Sequence, residues 1–201
     1  RVLCTSCVGD GRLRPAIPPQ WVRGVRVLDA YDSGLGRALV RAKGSADRAV
    51  AVQLARGFGR RVRSDPDVLA VLRAATAVSW VPSPWTRRAR RGFSLPALLS
   101  REIAILSPGS AVSLLRLRPG PRQATANPRE RSRNLRGRMS LRRPVDSGVC
   151  VLVDDVVTTG STVSLAAREL LAGGAEAVVV LALCLAGDPD SHGIDTGVQI
   201  L

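Results

Sequence analysis

Residues 149–183 constrain the fold more than any other part of the chain. An apolar run, residues 149–153, ends in two adjacent carboxylates, Asp154 and Asp155. A short loop follows, made of Val156, Val157, Thr158, Thr159, Gly160, Ser161 and Thr162. Residues 163–171 then carry apolar side chains at helical spacing until Gly173 and Gly174 end the pattern. A second apolar run, residues 177–183, completes a strand–loop–helix–strand unit. Two fully apolar strands joined through a helix predict an α/β domain with a mostly parallel central sheet and helices on both faces.

The same unit carries chemistry. Backbone N–H groups at a helix start, with hydroxyls beside them, suit a phosphate. Two carboxylates just upstream would repel that phosphate; they fit sugar hydroxyls, or a metal ion chelated with those hydroxyls. A phosphate site next to a diol site points to a ribose 5-phosphate. GxxxxGK[ST] is absent and no GxGxxG follows an early strand, so neither a P-loop nor a dinucleotide fingerprint is present. A plain turn with an N-capping Ser or Thr would explain the loop. It would not explain strand, acids, loop and helix in this order. The segment resembles the 5-phosphoribosyl 1-pyrophosphate (PRPP) binding motif of type I phosphoribosyltransferases.

A chain of 201 residues can bury one α/β core with a small appendage. No apolar run approaches the length of a membrane span, and no signal peptide is visible at the start. The first residue is Arg1 rather than Met, as expected of a piece of a longer protein. Net charge is +14, and of 30 basic residues only Lys43 is a lysine. Part of that arginine bias reads as the codon usage of a GC-rich genome. The excess of base over acid still favours polyanionic partners: phosphates, pyrophosphate or nucleic acid. Four scattered cysteines do not make a disulfide framework, which indicates a reducing, cytoplasmic setting.

Cys4 and Cys7 form a CxxC pair, half of a tetrahedral Zn²⁺ site. Cys150 and Cys184 lie in or beside the central strands and behave as small hydrophobes. The pair either belongs with a second CxxC upstream of Arg1 or is a metal-free tail; a redox pair would need strand–helix surroundings. Pro15, Pro18 and Pro19 read as a linker, dividing the chain into a segment 1–19 and a domain 20–201. Within the domain the expected elements are a strand at 22–31, helices at 34–42 and 47–62, a strand at 77–81, a helix at 94–106 and a strand at 112–117.

Two further loops are informative. Residues 81–93, VPSPWTRRARRGF, pass from a strand through two prolines into Arg87, Arg88, Arg90 and Arg91. At the carboxyl edge of a parallel sheet, Pro84, Arg87, Arg88 and Arg91 would border the ligand. The arginines there could clamp a pyrophosphate through paired hydrogen bonds, or the segment is a solvated basic turn anchored by Trp85 and Phe93. Residues 116–138 are long, basic and proline-containing, with Arg122, Gln123, Arg131, Arg133 and Asn134 as candidate contacts. Pro128 suits the first turn of a helix through Leu135, capped by Asn127. This stretch reads as a lid, a single-stranded nucleic-acid contact or a connector.

Taken together, these motifs resemble the ComF family, a phosphoribosyltransferase-like group associated with DNA uptake in natural competence. The resemblance rests on the CxxC, Tyr31 and Leu35 leading to Lys43, Val-Pro-x-Pro at 81–84, Arg-Gly-Phe at 91–93, Arg-x-Arg-Asn-Leu-x-Gly at 131–137 and the Asp-Asp…Thr-Thr-Gly loop. Three departures stand out: one CxxC knuckle instead of two, Ser94-Leu95 where the family has Asn-Gln, and Gly44 after Lys43 where it has Tyr. The resemblance implies a type I phosphoribosyltransferase-like fold with a remnant zinc-knuckle segment. It further implies transfer of a phosphoribosyl group from PRPP with loss of pyrophosphate, assisted by Mg²⁺. Asp154 and Asp155 would then hold the ribose hydroxyls, residues 158–162 the 5′-phosphate, and Arg87 and Arg88 the pyrophosphate side. Implied partners are a DNA-uptake helicase or recombination mediator and single-stranded DNA. No aromatic residue follows Cys184 to stack on an acceptor base. A PRPP- or nucleotide-sensing protein and a DNA-handling accessory protein therefore stand beside the enzyme. His192, in a polar tail, reads as exposed rather than catalytic.

Overall fold

The runs that flank the Asp-Asp motif pair with each other directly. The computed structural model describes residues 14–16, 24–30, 34–119 and 137–186. Strand β6 (Val149–Val157) lies parallel to β7 (Ala177–Leu185), with Val149 opposite Ala177 and Val157 opposite Leu185. Strand β2 (Gly24–Ala30) adds in parallel to the far side of β7, and β3 (Ala75–Trp80) adds in parallel to β6. A short strand β1 (Arg14–Ala16) closes the other edge antiparallel to β2, giving the order β1-β2-β7-β6-β3. Pro15, expected in a linker, thus lies in an edge strand, where its missing N–H is tolerated.

Helices cover both faces, because the strands are apolar on both. On one face lie α1 (Gly34–Gly44), α2 (Arg48–Arg63), α3 (Pro66–Ala74) and α5 (Leu95–Ala104). There Leu35, Leu39, Leu54, Phe58, Leu72, Leu99 and Ile103 pack on Val151, Val153, Leu181 and Leu183. The alternate residues, Cys150, Leu152, Val178, Val180 and Ala182, face the other way. They are covered by α6 (Ser161–Ala172) and by an antiparallel pair, β4 (Leu115–Leu117) with β5 (Met139–Leu141). This is the arrangement expected of a type I phosphoribosyltransferase-like α/β domain. No helix among the described residues is long and apolar enough to cross a membrane.

Several further elements differ from the expected ones. Helix α3 starts where the Asp65 carboxylate accepts a hydrogen bond from the Val68 N–H (3.1 Å), with Pro66 in the first turn. The basic loop after β3 contains a helix, α4 (Trp85–Arg91), ended by Gly92 at φ 73°. Strand β5 was not expected at all. Only residues 115–117 of the expected 112–117 strand pair with β5, because the residues before them are committed elsewhere.

That commitment is to the outer edge of β3. The Val78 N–H donates to Ser110 O (3.2 Å) and the Val112 N–H to Val78 O (2.9 Å). The Leu114 N–H reaches Ser79 Oγ (3.3 Å), and Ser107 Oγ donates to Ala75 O (3.0 Å). Gly109 lies so close to the backbone of Thr76 and Ala77 that a Cβ would collide with the Thr76 carbonyl.

Candidate functional site

Strand β6 does not stop at Val153 but carries Asp154 and Asp155 inside the sheet. Asp154 is opposite Ala182, and the pairing continues through Val156 with Cys184 and Val157 with Leu185. The Ala186 N–H closes the end on Val157 O (2.8 Å). The acid pair therefore sits on rigid backbone at the carboxyl end of the strands, where open α/β sheets bind ligands. Val157 is buried in the core on one face of the sheet and Val156 packs against the core on the other, so these two position the loop rather than offer it polar groups.

Asp154 is 8% exposed, and its carboxylate accepts a hydrogen bond from the Asp155 N–H (2.8 Å). Burial pushes its carboxyl well above the usual range, and the neighbouring Asp155 charge adds to the rise. The Asp155 N–H and Lys43 pull the other way. Lys43, in the last turn of α1, places Nζ 2.7 Å from Asp155 Oδ1. Both side chains are mostly shielded, 23% and 15% exposed.

The loop beyond the acids leads directly into α6. Thr158 and Thr159 are exposed, and Ser161 and Thr162 are half-buried. Gly160 occupies the cap position at φ 70°, ψ −5°, a left-handed conformation that favours glycine. The capping Ser or Thr that a plain turn would use is absent: no side chain caps α6, and Thr159 Oγ1 instead meets Ser161 Oγ at 2.9 Å. The helix start thus combines hydroxyls and uncapped first-turn amides in one place.

Helix α4 borders the same edge, because Val81 N–H, just past β3, donates to Val153 O (2.9 Å) one residue before Asp154. Pro84 sits at the helix cap, and Arg87, Arg88 and Arg90 are exposed. Arg91 is half-buried, and burial together with Arg87 and Arg90 lowers its affinity for its proton while Asp155 opposes the drop. Its Nε, and Oγ of Ser94 three residues on, are buried without a hydrogen-bond partner. Arg91 is therefore the one arginine of α4 that is half-buried, and it lies within electrostatic reach of Asp155. Ser94 stands at the start of α5 without capping it.

Arg122, Gln123, Arg131, Arg133 and Asn134 lie outside the described residues, as do Cys4, Cys7 and His192. Lys43 entered the sequence reading only as the lone lysine of a family motif, with no chemical role. Its signal was its position as the one lysine, closing an amphipathic helix.

The acid pair does not fit a protein-held Mg²⁺. Asp155 Oδ1 is taken by an ammonium and Asp154 accepts a backbone N–H. No cluster of three or more His, Cys, Asp or Glu side chains suited to a metal occurs among the described residues.

Sheet order, flanking helices and an acid pair leading into a Thr/Gly/Ser helix start define an α/β protein of the type I phosphoribosyltransferase-like fold. No family model matches the chain. It is 34% identical over 195 residues to the DNA utilization protein YhgH of Salmonella typhimurium, covering 90% of this chain and 83% of that protein. It is 35% identical over 169 residues to the DNA utilization protein YhgH of Escherichia coli K12, covering 83% of this chain and 74% of that one. The chain belongs to the YhgH family.

Proposed function

We propose that this protein binds PRPP at the carboxyl edge of β6 and serves DNA utilization, the role named for its relatives. The observation that supports this best is the adjacency, on one rigid strand end, of an acid pair and an uncapped helix start rich in hydroxyls. Phosphate and diol sites a few residues apart match the two ends of a ribose 5-phosphate. Residues 158–162 take the 5′-phosphate. Asp154 and Asp155 accept hydrogen bonds from the ribose hydroxyls. Arg91, half-buried and within electrostatic reach of Asp155, donates to the diphosphate through its guanidinium.

In phosphoribosyl transfer, positive charge grows on the sugar ring as pyrophosphate departs. Asp154 and Asp155, fixed before the ligand arrives, stabilise that ring charge electrostatically. Arg91 and the exposed Arg87 and Arg88 stabilise the departing anion. Any Mg²⁺ would arrive as part of the diphosphate substrate rather than be held by these carboxylates, and would supply neutralising charge to the leaving group. Within DNA uptake and competence, the partners that suit this reading are a helicase or a recombination mediator.

The test is calorimetric titration of Mg²⁺–PRPP into the wild type and into Asp154→Asn/Asp155→Asn, with released pyrophosphate assayed in the same samples. Saturable binding that disappears in the variant supports the site. Pyrophosphate release with an acceptor makes the protein a transferase, and binding without release makes it a sensor. No binding by the wild type refutes the reading.

A further inference from the structure

We propose that Lys43 is the resident counter-cation of the acid pair, fitting the site to a neutral diol and shutting free divalent cations out of it. The inference rests on the reading of Asp154 and Asp155 as the diol site. Two adjacent carboxylates at a sheet edge ordinarily attract a metal ion, because their like charges raise each other's energy. Here that demand is already met. The ammonium of Lys43 touches Asp155 Oδ1 at 2.7 Å, with both groups largely out of water. Its charge also acts on Asp154, whose carboxylate further accepts the Asp155 N–H.

The backbone makes this arrangement hard to reshuffle. Asp154 is held in register opposite Ala182 of β7, and Asp155 follows it in the same strand, before Val156 pairs with Cys184. Lys43 extends from a helix whose Leu35, Leu39 and Ala42 are buried in the core, so its Cα is fixed as well. A divalent ion entering here would have to displace a contact ion pair and leave an ammonium in a partly dry site, where charge is costly. A hydroxyl needs no such exchange. It donates to a carboxylate lone pair that the ammonium leaves open, and the net charge of the site is unchanged. Lys43 is thus a specificity-determining residue, acting through Asp155 rather than on the sugar.

Two experiments on the full chain decide the matter. The first titrates Mn²⁺ alone, followed by electron paramagnetic resonance, into wild type, Lys43→Met, Lys43→Arg and Lys43→Met/Asp155→Asn. Expected is a Mn²⁺ site in Lys43→Met roughly tenfold or more tighter than any in the wild type. Lys43→Arg should keep the wild-type exclusion, and the double variant should lose the gained site. A wild type that binds Mn²⁺ as tightly as Lys43→Met overturns the proposal.

The second needs no variant: ribose 5-phosphate, which lacks a diphosphate to chelate metal, is titrated into the wild type with EDTA or with Mg²⁺. Equal affinity is expected, and a tenfold gain with Mg²⁺ overturns the proposal by showing a metal bridging diol and acids. Absence of any binding of ribose 5-phosphate or PRPP would sink the ligand reading instead. The Mn²⁺ titration would still decide the role of Lys43.

Discussion

Replacing Asp154 by Asn should make the fold more stable at neutral pH while removing ligand binding. With both acids ionised, two carboxylates would face one ammonium, leaving one negative charge uncompensated among largely buried groups. Asn has nearly the same shape, and its Oδ1 can still accept the Asp155 N–H now held at 2.8 Å. Lys43 keeps Asp155 as its partner at 2.7 Å, so the substitution strands no cation. Taking an ion into such a pocket costs several kcal/mol, offset here by a charged hydrogen bond and the attraction of Lys43. The net gain from the neutral isostere is about 1–2 kcal/mol, which for a domain of this size raises Tm by about 3–6 °C.

The pH dependence fixes the cause. The Asp154 carboxyl is raised by burial, so the folded protein holds that proton more tightly than the unfolded chain. Its stabilising share is fully present below the ordinary aspartate value of about 3.9 and fades as pH rises through the raised folded value. Asp154→Asn lacks this dependence. Its Tm advantage should grow as pH rises through the raised folded value and shrink as pH falls, measured by differential scanning fluorimetry on both proteins across a series of pH values. A lower Tm for Asp154→Asn at pH 8, or an advantage that grows in acid, would refute the argument that the charge is carried at a cost.

Three other outcomes are expected. Gly160→Ala forces a left-handed φ of 70° on a residue with a Cβ and should cost about 1–2 kcal/mol, seen as a Tm loss together with weaker PRPP binding by calorimetry. Gly109→Ala drives a Cβ into the Thr76 carbonyl and should cost about 1–3 kcal/mol in urea unfolding, with PRPP affinity unchanged. Burial pushes the Cys150 thiol up to about 12, so at pH 8 a thiol reagent should label it only as fast as the protein unfolds, followed by peptide mass spectrometry.

Much of this architecture was legible in the chain because its strands are uninterrupted apolar runs and its longest helix has a clear periodic face. The pairing of residues 149–153 with 177–183 needed only their composition and the helix between them; that β6 continues through both acids to Val157 was not legible. Helix α3 was missed although its signal was local, an Asp65 cap followed by Pro66. Helix α4 was missed because four arginines, an alanine, a threonine and a single exposed tryptophan behind two prolines make no apolar face to read. The pairing of β4 with β5 had no local signal, since three-residue strands depend on what covers them. The acid pair and its hydroxyl loop were legible as a motif. That Lys43 closes on Asp155, and that Arg91 rather than Arg87 or Arg88 turns inward, depends on tertiary placement that no spacing rule contains.

The outer edge of β3 has a consequence for how the chain avoids itself. A strand reading Ala-Thr-Ala-Val-Ser-Trp has no charge and no proline, and with bare N–H and C=O groups it would template pairing with another copy. Many proteins defend such an edge with an inward lysine or a bulge; here the chain's own next loop occupies it. The sealing contact from Ser107 to Ala75 spans 32 residues, whereas the contact from Thr76 to Val149 spans 73. The segment that covers this edge thus leaves the ribosome before β6, the strand's partner on its other side.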